Sequence, residues 1–508
     1  MELNLLERPG LPVLVVGAGP TGLTLACALA RHSVPVRIVE ASPVPQPGSR
    51  GKGLQPRSLE VFDDLGIVEQ VIGNGRADMP IRSHRPDGTV APAALVAKQR
   101  PDIPYPASLI TPEWRVEEAL RARFESLGGG VEFGSTLETF EDRGDAVHAQ
   151  ISTEDGVETI DASIVVGCDG GHSRVRKLGG FSFEGVTLEN TRMIVADLEV
   201  EGLDRDVWSM WEHADGFVAL CPLPSTNLFQ YQASLTPGQD ASTTLANMQA
   251  ILELRAKRGD IRLSAPAWSS LWRANVRLVD RYRSGRIFLA GDAAHIHSPA
   301  GGQGMNTGIQ DSYNLGWKIA AVLQGAPAAL LDTYERERRP VAESVISLSN
   351  QRMKVAFEGK GIPLDRDAYI TQLGIQYRDS VLALDDRLEP MRLHAGDRAP
   401  DATGLMTQFA RCRLFDLTRG EHFTLLDFGA VATDLAPTPG LRTVRIVDRL
   451  MSPYDVLDTE GHLARAYGAC ARTLVLIRPD GYIALISDAG RQDLVRSYLV
   501  EWSPAALA

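Results

Sequence analysis

The fold is decided by a short apolar run that ends in a glycine-rich turn, Val13-Leu14-Val15-Val16-Gly17-Ala18-Gly19-Pro20-Thr21-Gly22. The run predicts a strand buried on both faces, and Leu23–Ala30 predicts a helix directly after the turn. Gly-x-Gly-x-x-Gly in this context is typical of a dinucleotide-binding unit. The first glycine allows a tight turn, the second lets the backbone approach a pyrophosphate, and the third lets helix and strand pack closely.

An acidic residue stands where this unit needs one. The next predicted strand, Val36–Val39, ends at Glu40. A carboxylate there accepts hydrogen bonds from the hydroxyls of an adenosine ribose and repels a 2′-phosphate. The positive dipole end of the helix after the turn favours the phosphates. The resident ligand is therefore predicted to be FAD or NAD rather than NADP, and this signature alone does not separate those two.

A second glycine signature lies far along the chain, at Gly291-Asp292-Ala293-Ala294-His295 and Gly301-Gly302-Gln303-Gly304-Met305-Asn306. Arg286–Ala290 predicts a strand before it, so that Asp292 is placed to reach the hydroxyls of a ribityl chain. A helix is predicted from about Met305 to Leu323. Its start would stabilise negative charge on a reduced isoalloxazine ring, which a nicotinamide does not need. The two signatures together favour FAD, held at both ends.

A third segment follows another predicted strand, Ser163–Val166, and reads Gly167-Cys168-Asp169-Gly170-Gly171-His172-Ser173-Arg174-Val175-Arg176. Its small residues imply a close approach of the backbone, and its arginines suit anions.

Composition excludes several classes of protein. The 508 residues carry a net charge of -12, which argues against a nucleic-acid partner. The five cysteines contain no Cys-x-x-Cys pair, so a reduced cytoplasmic protein without a zinc or other metal site is expected. No signal peptide is expected, and no apolar run approaches the ~20 residues that span a bilayer.

The three motifs, in this order and spacing, resemble those of the group A flavoprotein aromatic hydroxylases, the para-hydroxybenzoate hydroxylase-like family, over about residues 10–395. The resemblance implies an α/β fold with α+β elements: a Rossmann-like FAD-binding domain, an inserted β-sheet substrate domain and a C-terminal thioredoxin-like domain. The expected bounds are 1–180 plus 280–395, then 181–279 with parts of 76–110, then 396–508.

The resemblance also implies site residues. Arg50 resembles the family arginine that lies against the flavin, Arg115 a polar FAD contact, and Pro299 the proline that borders the reactive flavin edge. The full set expected to contact FAD is Gly17, Ala18, Gly19, Pro20, Thr21, Gly22, Glu40, Arg50, Gly51, Arg115, Asp169, Asp292, Pro299, Gly302, Gly304, Met305 and Asn306. The flavin carries the chemistry, and no catalytic base is identified.

The segment 181–279 carries no nucleotide signature. Asp215–Cys221 and Leu228–Ala233 predict a hairpin, and aromatic residues concentrate around it although they are only 6% of the chain. As a group they suit stacking against a flat aromatic substrate, with core packing as the alternative for each one. The candidates are Trp211, Phe217, Phe229 and Tyr231.

The last part of the chain resembles the thioredoxin-like tail of the larger phenol and polyketide hydroxylases. Cys412 and Cys470 are far apart in sequence, so no redox pair is predicted. Before this tail, Tyr334–Pro340 predicts a charged helix end explained by surface ion pairs, with a helix over Val341–Phe357.

The implied activity is that of an FAD-dependent monooxygenase. NADPH or NADH, as a transient co-substrate, reduces the flavin, and O2 then forms a C4a-hydroperoxide that hydroxylates an aromatic ring. A polycyclic polyketide or antibiotic-type phenolic is the expected substrate, and the protein is expected to be a monomer or homodimer. The alternatives are a simple phenol or phenylpropionate hydroxylase, a Baeyer–Villiger-type oxygenase, or a flavin-binding protein without oxygenase activity.

Overall fold

The computed structural model describes residues 8, 10–93, 97–298, 301–357, 368–387, 392–429 and 438–507. Within that part of the chain, no helix is both long and apolar enough to cross a membrane.

The strands before residue 180 are β1 (Val13–Val16), β2 (Val36–Glu40), β3 (Gly53–Leu54), β4 (Arg76–Ala77), β5 (Ile81–His84), β6 (Val90–Ala93), β7 (Leu109–Ile110), β8 (Val131–Phe133), β9 (Thr136–Asp142), β10 (Val147–Thr153), β11 (Gly156–Ala162) and β12 (Ile164–Gly167). The helices of the same part are α1 (Pro20–Arg31), α2 (Pro56–Leu65), α3 (Val68–Gly73), α4 (Glu113–Ser126) and α5 (Arg174–Leu178).

The middle of the chain forms β13 (Phe183–Glu201), β14 (Trp208–His213), β15 (Gly216–Pro222), β16 (Leu228–Leu235), α6 (Leu245–Ala256) and β17 (Arg262–Val279). Then come β18 (Arg283–Ser284), β19 (Ile287–Leu289), β20 (His295–Ile296), α7 (Gly304–Leu323) and α8 (Asp332–Phe357). The C-terminal part forms β21 (Leu384–Asp385), β22 (Leu405–Met406), β23 (Arg411–Cys412), α9 (Leu414–Thr418), β24 (Phe423–Asp427), β25 (Leu441–Ile446), β26 (Asp455–Asp458), α10 (His462–Tyr467), β27 (Leu474–Ile477), β28 (Ile483–Ser487) and α11 (Gln492–Trp502).

The first sheet is built around the apolar strand that opens the chain. Its order is β18-β19-β12-β1-β2-β8, and every neighbouring pair except β18 and β19 is parallel. The side chains of β1 and β12 are buried throughout, as expected for strands covered on both faces. Strands β18 and β19 join only after the middle of the chain has passed through a second sheet, so this layer is discontinuous in sequence.

The second sheet has the order β20-β17-β13-β16-β15-β14-β5-β6. Its centre is antiparallel, with the long strand β13 paired to both β16 and β17. Apolar residues of one face pack with α6 into a separate core that includes Ile194, Leu220, Met248 and Leu252. The opposite face contacts the segment between β2 and β3, because Asp197 of β13 accepts from Ser49 N and Gln230 of β16 donates to the Ser49 carbonyl.

The C-terminal sheet has the order β21-β28-β27-β24-β25-β26-β22-β23. At its centre β24 is parallel to β25 and antiparallel to β27, which is in turn antiparallel to β28. This mixed sheet with α10 and α11 agrees with the thioredoxin-like arrangement expected from sequence. Cys412 and Cys470 are both free thiols.

A turn of the C-terminal domain is inserted among the helices of the first layer. Arg478, between β27 and β28, donates to Glu337 of α8 at 2.8 and 3.0 Å. Asp480 of the same turn accepts from Trp317 of α7 at 3.1 Å, and Glu337 accepts from Lys318 at 2.7 Å. Arg478, Lys318 and Glu337 are buried. The C-terminal domain is therefore joined to α7 and α8 by a buried network of charges.

This network corrects the interpretation of Tyr334–Pro340 as a surface feature. Glu337 and Arg338 are buried, and α8 begins at Asp332 and continues through Pro340. Burial alone would raise the pKa of Glu337, but Arg478 and Lys318 outweigh it and hold the pKa well below its ordinary value. Glu337 and Arg338 therefore serve contacts inside the protein, whereas Arg339 forms an ion pair with Glu343 at the surface.

Candidate functional site

The three sequence signatures meet at one edge of the first sheet. Three backbone hydrogen bonds align the ends of β1, β12 and β19: Gly17 donates to Val39 at 2.8 Å, Cys168 to Val16 at 2.8 Å, and Ala290 to Gly167 at 3.0 Å. In parallel sheets, ligands bind at the carboxyl ends of the strands. The signatures are thus brought together where a nucleotide cofactor is expected.

The first glycine turn has the local geometry predicted for it. Gly17 has a φ of +101°, and a Cβ on it would lie 2.5 Å from the Cys168 carbonyl oxygen. A Cβ on Gly22 would lie 1.9 Å from the Gly17 oxygen. By contrast, a Cβ on Gly19 would meet no protein atom within 4 Å. The space beside Gly19, at the start of α1, is therefore open to a ligand.

Glu40 stands beside this turn. One carboxylate oxygen accepts a hydrogen bond from Ala18 N and the other from Ser42 N, both at 2.9 Å. The side chain is only partly buried. Its position at the end of β2 leaves it able to accept further hydrogen bonds, as binding of a ribose requires.

The second signature packs directly against the first. A Cβ on Gly291 would lie 2.6 Å from Thr21 Oγ1, and a Cβ on Gly308 would lie 2.3 Å from the same atom. These glycines let α7 and the end of β19 approach α1 closely. Asp292 follows with its carboxylate open to the cleft, although protein encloses it on the other sides and so raises its pKa.

A buried charge cluster supports the second signature from behind. Asp311 of α7 accepts from Gly291 N at 3.1 Å, lies 2.7 Å from His295 Nε2, and accepts from Arg338 Nε at 2.7 Å. Burial alone would raise the pKa of Asp311, but Arg338 and His295 outweigh it and hold the pKa below its ordinary value. An anionic Asp311 therefore fixes the turn that presents Asp292.

The start of α7 is joined to the segment that carries Arg50. Asn306 accepts from Gln55 N and donates to the carbonyls of Gly53 and Gly302, all at 2.8 Å. A Cβ on Gly51 would lie 3.5 Å from Met305 Cε. The Asn306 side chain is thus occupied inside the protein, which leaves the backbone of this helix start for a ligand.

Arg115 and Asp169 each have a buried polar atom that no described residue satisfies. Arg115 donates to Glu118 at 2.7 Å through one terminal nitrogen, while its Nε has no partner among the described residues. Asp169 accepts from Arg174 N at 2.6 Å, and its Oδ1 is likewise without a described partner. Each of these atoms is thus free to bond a ligand or a water molecule. Pro299 lies outside the described residues.

These observations fit FAD. The open space beside Gly19 suits a pyrophosphate, Glu40 suits the adenosine ribose, and Asp292 suits the ribityl chain. FAD would extend from its adenosine end to its ribityl end along the edge of a cleft that α1 and α7 form together.

The structure separates the four predicted substrate aromatics into two groups. Trp211, Phe229 and Tyr231 are buried in the core between the second sheet and α6, where the Tyr231 hydroxyl donates to Met248 O at 3.2 Å. Packing against α6 accounts for their burial, so the stacking hypothesis loses its support for these three. Phe217 lies on the opposite face, since it alternates with Val218 along β15.

Sequence reasoning missed several polar residues on that opposite face. Asp197 of β13 and Gln230 of β16 are paired across the strands, and both contact Ser49 in the segment before Arg50. The Trp268 ring of β17 lies against Gly48, since a Cβ there would approach it to 2.6 Å. The sequence carried one signal for this contact, because the carboxylate of Asp197 interrupts a strand of mostly apolar residues. That signal does not indicate which residue the carboxylate contacts.

Comparison with known proteins identifies the family of this chain. The sequence model described as FAD binding domain matches residues 10–349, and the one described as aromatic-ring hydroxylase, C-terminal, matches residues 393–506. The chain therefore belongs to the FAD-dependent aromatic-ring hydroxylase family, and the predicted fold class and FAD cofactor are confirmed.

Relatives match over nearly the whole chain. A flavin-dependent monooxygenase from Mycobacteroides abscessus is 44% identical over 490 residues, which cover 94% of this chain and 98% of that protein. Pentachlorophenol 4-monooxygenase from Sphingobium chlorophenolicum is 33% identical, with 95% of each chain covered. A solved complex of aklavinone-11 hydroxylase with FAD and aklavinone has a TM-score of 0.81 and 26% identity, and covers 98% of this chain and all of that one. The protein is a flavin-dependent monooxygenase of this family.

Replacing Asp292 with alanine is expected to weaken FAD binding by about ten- to a hundredfold, because a hydrogen bond to a charged group contributes about 1.5–3 kcal/mol. Flavin retained after gel filtration, and Kd from fluorescence titration, measure the effect. Glu154→Ala, at an exposed turn, is the matched control and should bind FAD normally. Unchanged FAD content in the Asp292 variant would contradict the assignment.

Proposed function

We propose that this protein hydroxylates a polycyclic, polyketide- or antibiotic-type phenolic compound and consumes NADPH or NADH. The proposal is supported by the similarity of this chain to a hydroxylase that was solved with FAD and aklavinone. That similarity extends over nearly the whole length of both proteins. The conclusion also rests on the meeting of three signatures beside a sheet face that is free of helix α6. We also propose a cytoplasmic location, since reduced nicotinamide must be supplied continuously. A monomer or homodimer is proposed for the oligomeric state.

The proposed FAD contacts are those predicted from sequence: Gly17, Ala18, Gly19, Pro20, Thr21, Gly22, Glu40, Arg50, Gly51, Arg115, Asp169, Asp292, Pro299, Gly302, Gly304, Met305 and Asn306. We also propose the predicted domain bounds, with 1–180 and 280–395 holding FAD, 181–279 and parts of 76–110 covering the substrate, and 396–508 forming the C-terminal domain.

When bound, FAD supplies hydride acceptance and activation of O2, and the protein supplies position and shielding. The N-terminal turn of α7 directs N–H groups and a positive dipole end toward the cleft, which stabilises negative charge there. The sheet face that carries Phe217, Asp197 and Gln230 contacts Ser49 next to Arg50, so we propose that this face shields the bound flavin from water. Phe217 is the aromatic candidate that remains available for contact with a substrate ring.

Hydroxylation of a single-ring phenol is the second candidate. It is favoured by the 33% identity to pentachlorophenol 4-monooxygenase over 95% of each chain. The two candidates differ in the size of the ring system that the cleft must accept.

The test is to incubate the FAD-loaded protein with NADPH or NADH, isotopically labelled O2, and panels of polycyclic phenolics and single-ring phenols. We expect a polycyclic phenolic to accelerate NADPH or NADH oxidation at least about tenfold and to gain one labelled oxygen on a ring. The Asp292→Ala variant, freed of FAD, should leave the compound unchanged.

Each other outcome selects a different function. Labelling of single-ring phenols alone would support the second candidate. A labelled lactone would indicate Baeyer–Villiger insertion, and binding without oxygen transfer to any compound would indicate a flavin-binding protein that is not an oxygenase.

A further inference from the structure

The segment Gly48–Lys52 is held by a carboxylate on each side of Arg50. Ser49 N donates to Asp197 Oδ2 at 2.7 Å, and Gly51 N donates to Glu113 Oε2 at 2.5 Å. We propose that Asp197 and Glu113 are positioning residues that clamp this backbone and so set where the Arg50 guanidinium stands at the flavin. The proposal rests on the proposed FAD contact of Arg50.

The Asp197 side of the clamp is fully enclosed. Asp197 and Ser49 are inaccessible to solvent. Gln230 adds a second contact, because its amide donates to the Ser49 carbonyl at 2.6 Å while its oxygen accepts from Lys52 Nζ. The Lys52 ammonium also lies 4.4 Å from the centre of the Trp208 ring. The second sheet thus grips Ser49 through both of its backbone polar groups.

The Glu113 side of the clamp comes from a different part of the fold. Glu113 is the first residue of α4, and its carboxylate lies 3.2 Å from the position that a Cβ on Gly51 would take. Met305, at the start of α7, lies on the same glycine at 3.5 Å. Gly51 therefore has little room to move, although its lack of a side chain lets Glu113 and Met305 approach it.

Arg50, between the two anchors, faces several carboxylates. Its side chain is exposed at the cleft. Enclosure raises the pKa of Glu113, Glu117 and Asp292, and the Arg50 guanidinium opposes that rise in all three. Its charge is therefore close to the predicted ribityl site and to α4. A small shift of the backbone at residues 49–51 would move this charge relative to a flavin.

The clamp has a consequence for pH dependence. Burial raises the pKa of Glu113 to about 7 and that of Asp197 to about 6. Glu113 is influenced by Arg50, Asp292 and Asp197, and Asp197 by Lys52. A protonated carboxyl accepts a weaker hydrogen bond than a carboxylate. The clamp should therefore be tightest above about pH 8 and loosen as the pH falls through about 7 and then 6.

The test uses the FAD-loaded protein and a double-mutant cycle with Arg50→Ala. We expect Glu113→Ala and Asp197→Ala each to slow anaerobic flavin reduction by NADPH about ten- to a hundredfold, with FAD content unchanged. The midpoint potential of bound FAD should shift toward that of the Arg50→Ala protein. In the Arg50→Ala background, neither substitution should add a further effect, because each acts through Arg50.

Conservative variants test the pH dependence. Glu113→Gln and Asp197→Asn keep an acceptor of the same shape, so their rates of flavin reduction should lie between those of wild type and of the alanine variants. We expect the loosening of the clamp near pH 7 to change the midpoint potential of bound FAD in the wild type, and Glu113→Gln should abolish that change. Glu125→Gln on the exposed face of α4 and Glu199→Gln on β13 are controls and should behave as wild type.

The proposal is wrong if the Glu113 and Asp197 effects are the same size with and without Arg50, or if only the melting temperature changes. The potential requires neither NADPH nor an aromatic substrate. A failure of the proposed hydroxylation would therefore be seen separately from a failure of the clamp.

Discussion

Replacing Glu337 with leucine is expected to lower the free energy of unfolding by about 3–5 kcal/mol, because it leaves Lys318 buried without its counter-ion and leaves Arg478 paired with Asp480 alone. This is the largest effect that we expect from a single side chain remote from the cleft. Glu337 lies where the C-terminal domain meets α8, so the change should also loosen the contact between domains. Urea unfolding and the melting temperature measure it.

The control for this substitution lies on the same helix. Glu343 forms an exposed ion pair with Arg339, and such pairs contribute at most about 1 kcal/mol, so Glu343→Gln should change stability little. A Glu337→Leu protein as stable as wild type would show that the buried network contributes no net stability.

Replacing Gly22 with alanine is the second substitution expected to have a large effect. The new Cβ would lie 1.9 Å from the backbone oxygen of Gly17, which cannot move without displacing the turn. We expect a loss of stability of about 3 kcal/mol and the loss of FAD binding. Thermal unfolding of the protein without FAD and titration with FAD separate the two effects.

Gly19→Ala is the matched comparison. Its Cβ would meet no protein atom within 4 Å, so the stability without FAD should be unchanged within about 0.5 kcal/mol. FAD affinity should still fall, because the methyl group takes the space predicted for the pyrophosphate. Normal FAD affinity in this variant would place the pyrophosphate elsewhere.

The elements that the sequence predicted correctly were those with strong local patterns. The helix predicted from Met305 to Leu323 is observed as Gly304–Leu323, and the predicted hairpin is observed as β15 and β16. The roles of Gly17 and Gly22 could also be predicted from the local sequence, because the turn itself requires glycine at both positions. Such features can be predicted because neighbouring residues determine them.

The parts of the site that were not predicted depend on distant partners. Asp311 supports Gly291 only because α8 brings Arg338 beside it, and Glu113 reaches Gly51 only because α4 begins beside the cleft. Nothing in the spacing of these residues indicates that they meet. The same limit explains the error at Tyr334–Pro340, where a charged stretch suggested exposure and the partner of Glu337 lay in another domain.

The aromatic residues show a further limit of patterns. Trp211 and Tyr231 lie in strands along which successive side chains point to opposite faces of the sheet. This alternation predicts that half of the side chains of each strand face each way. The pattern does not indicate which face receives a helix and which covers the cleft. That choice was decided by α6, whose own apolar residues Met248 and Leu252 cover the first of these faces.

The discontinuous first sheet determines when the flavin site can exist during synthesis. β12 ends at Gly167, yet its neighbour β19 begins only at Ile287, after every strand of the second sheet except β20 has been made. The glycine turn after β1 therefore cannot become part of a complete flavin site until the ribosome has released α7 as well. Until β19 is made, one edge of β12 remains unpaired. Pairing between such distant segments is slow and exposes apolar edges to aggregation. Supply of FAD to the growing chain can assist folding only late, once both halves of its site have been synthesised.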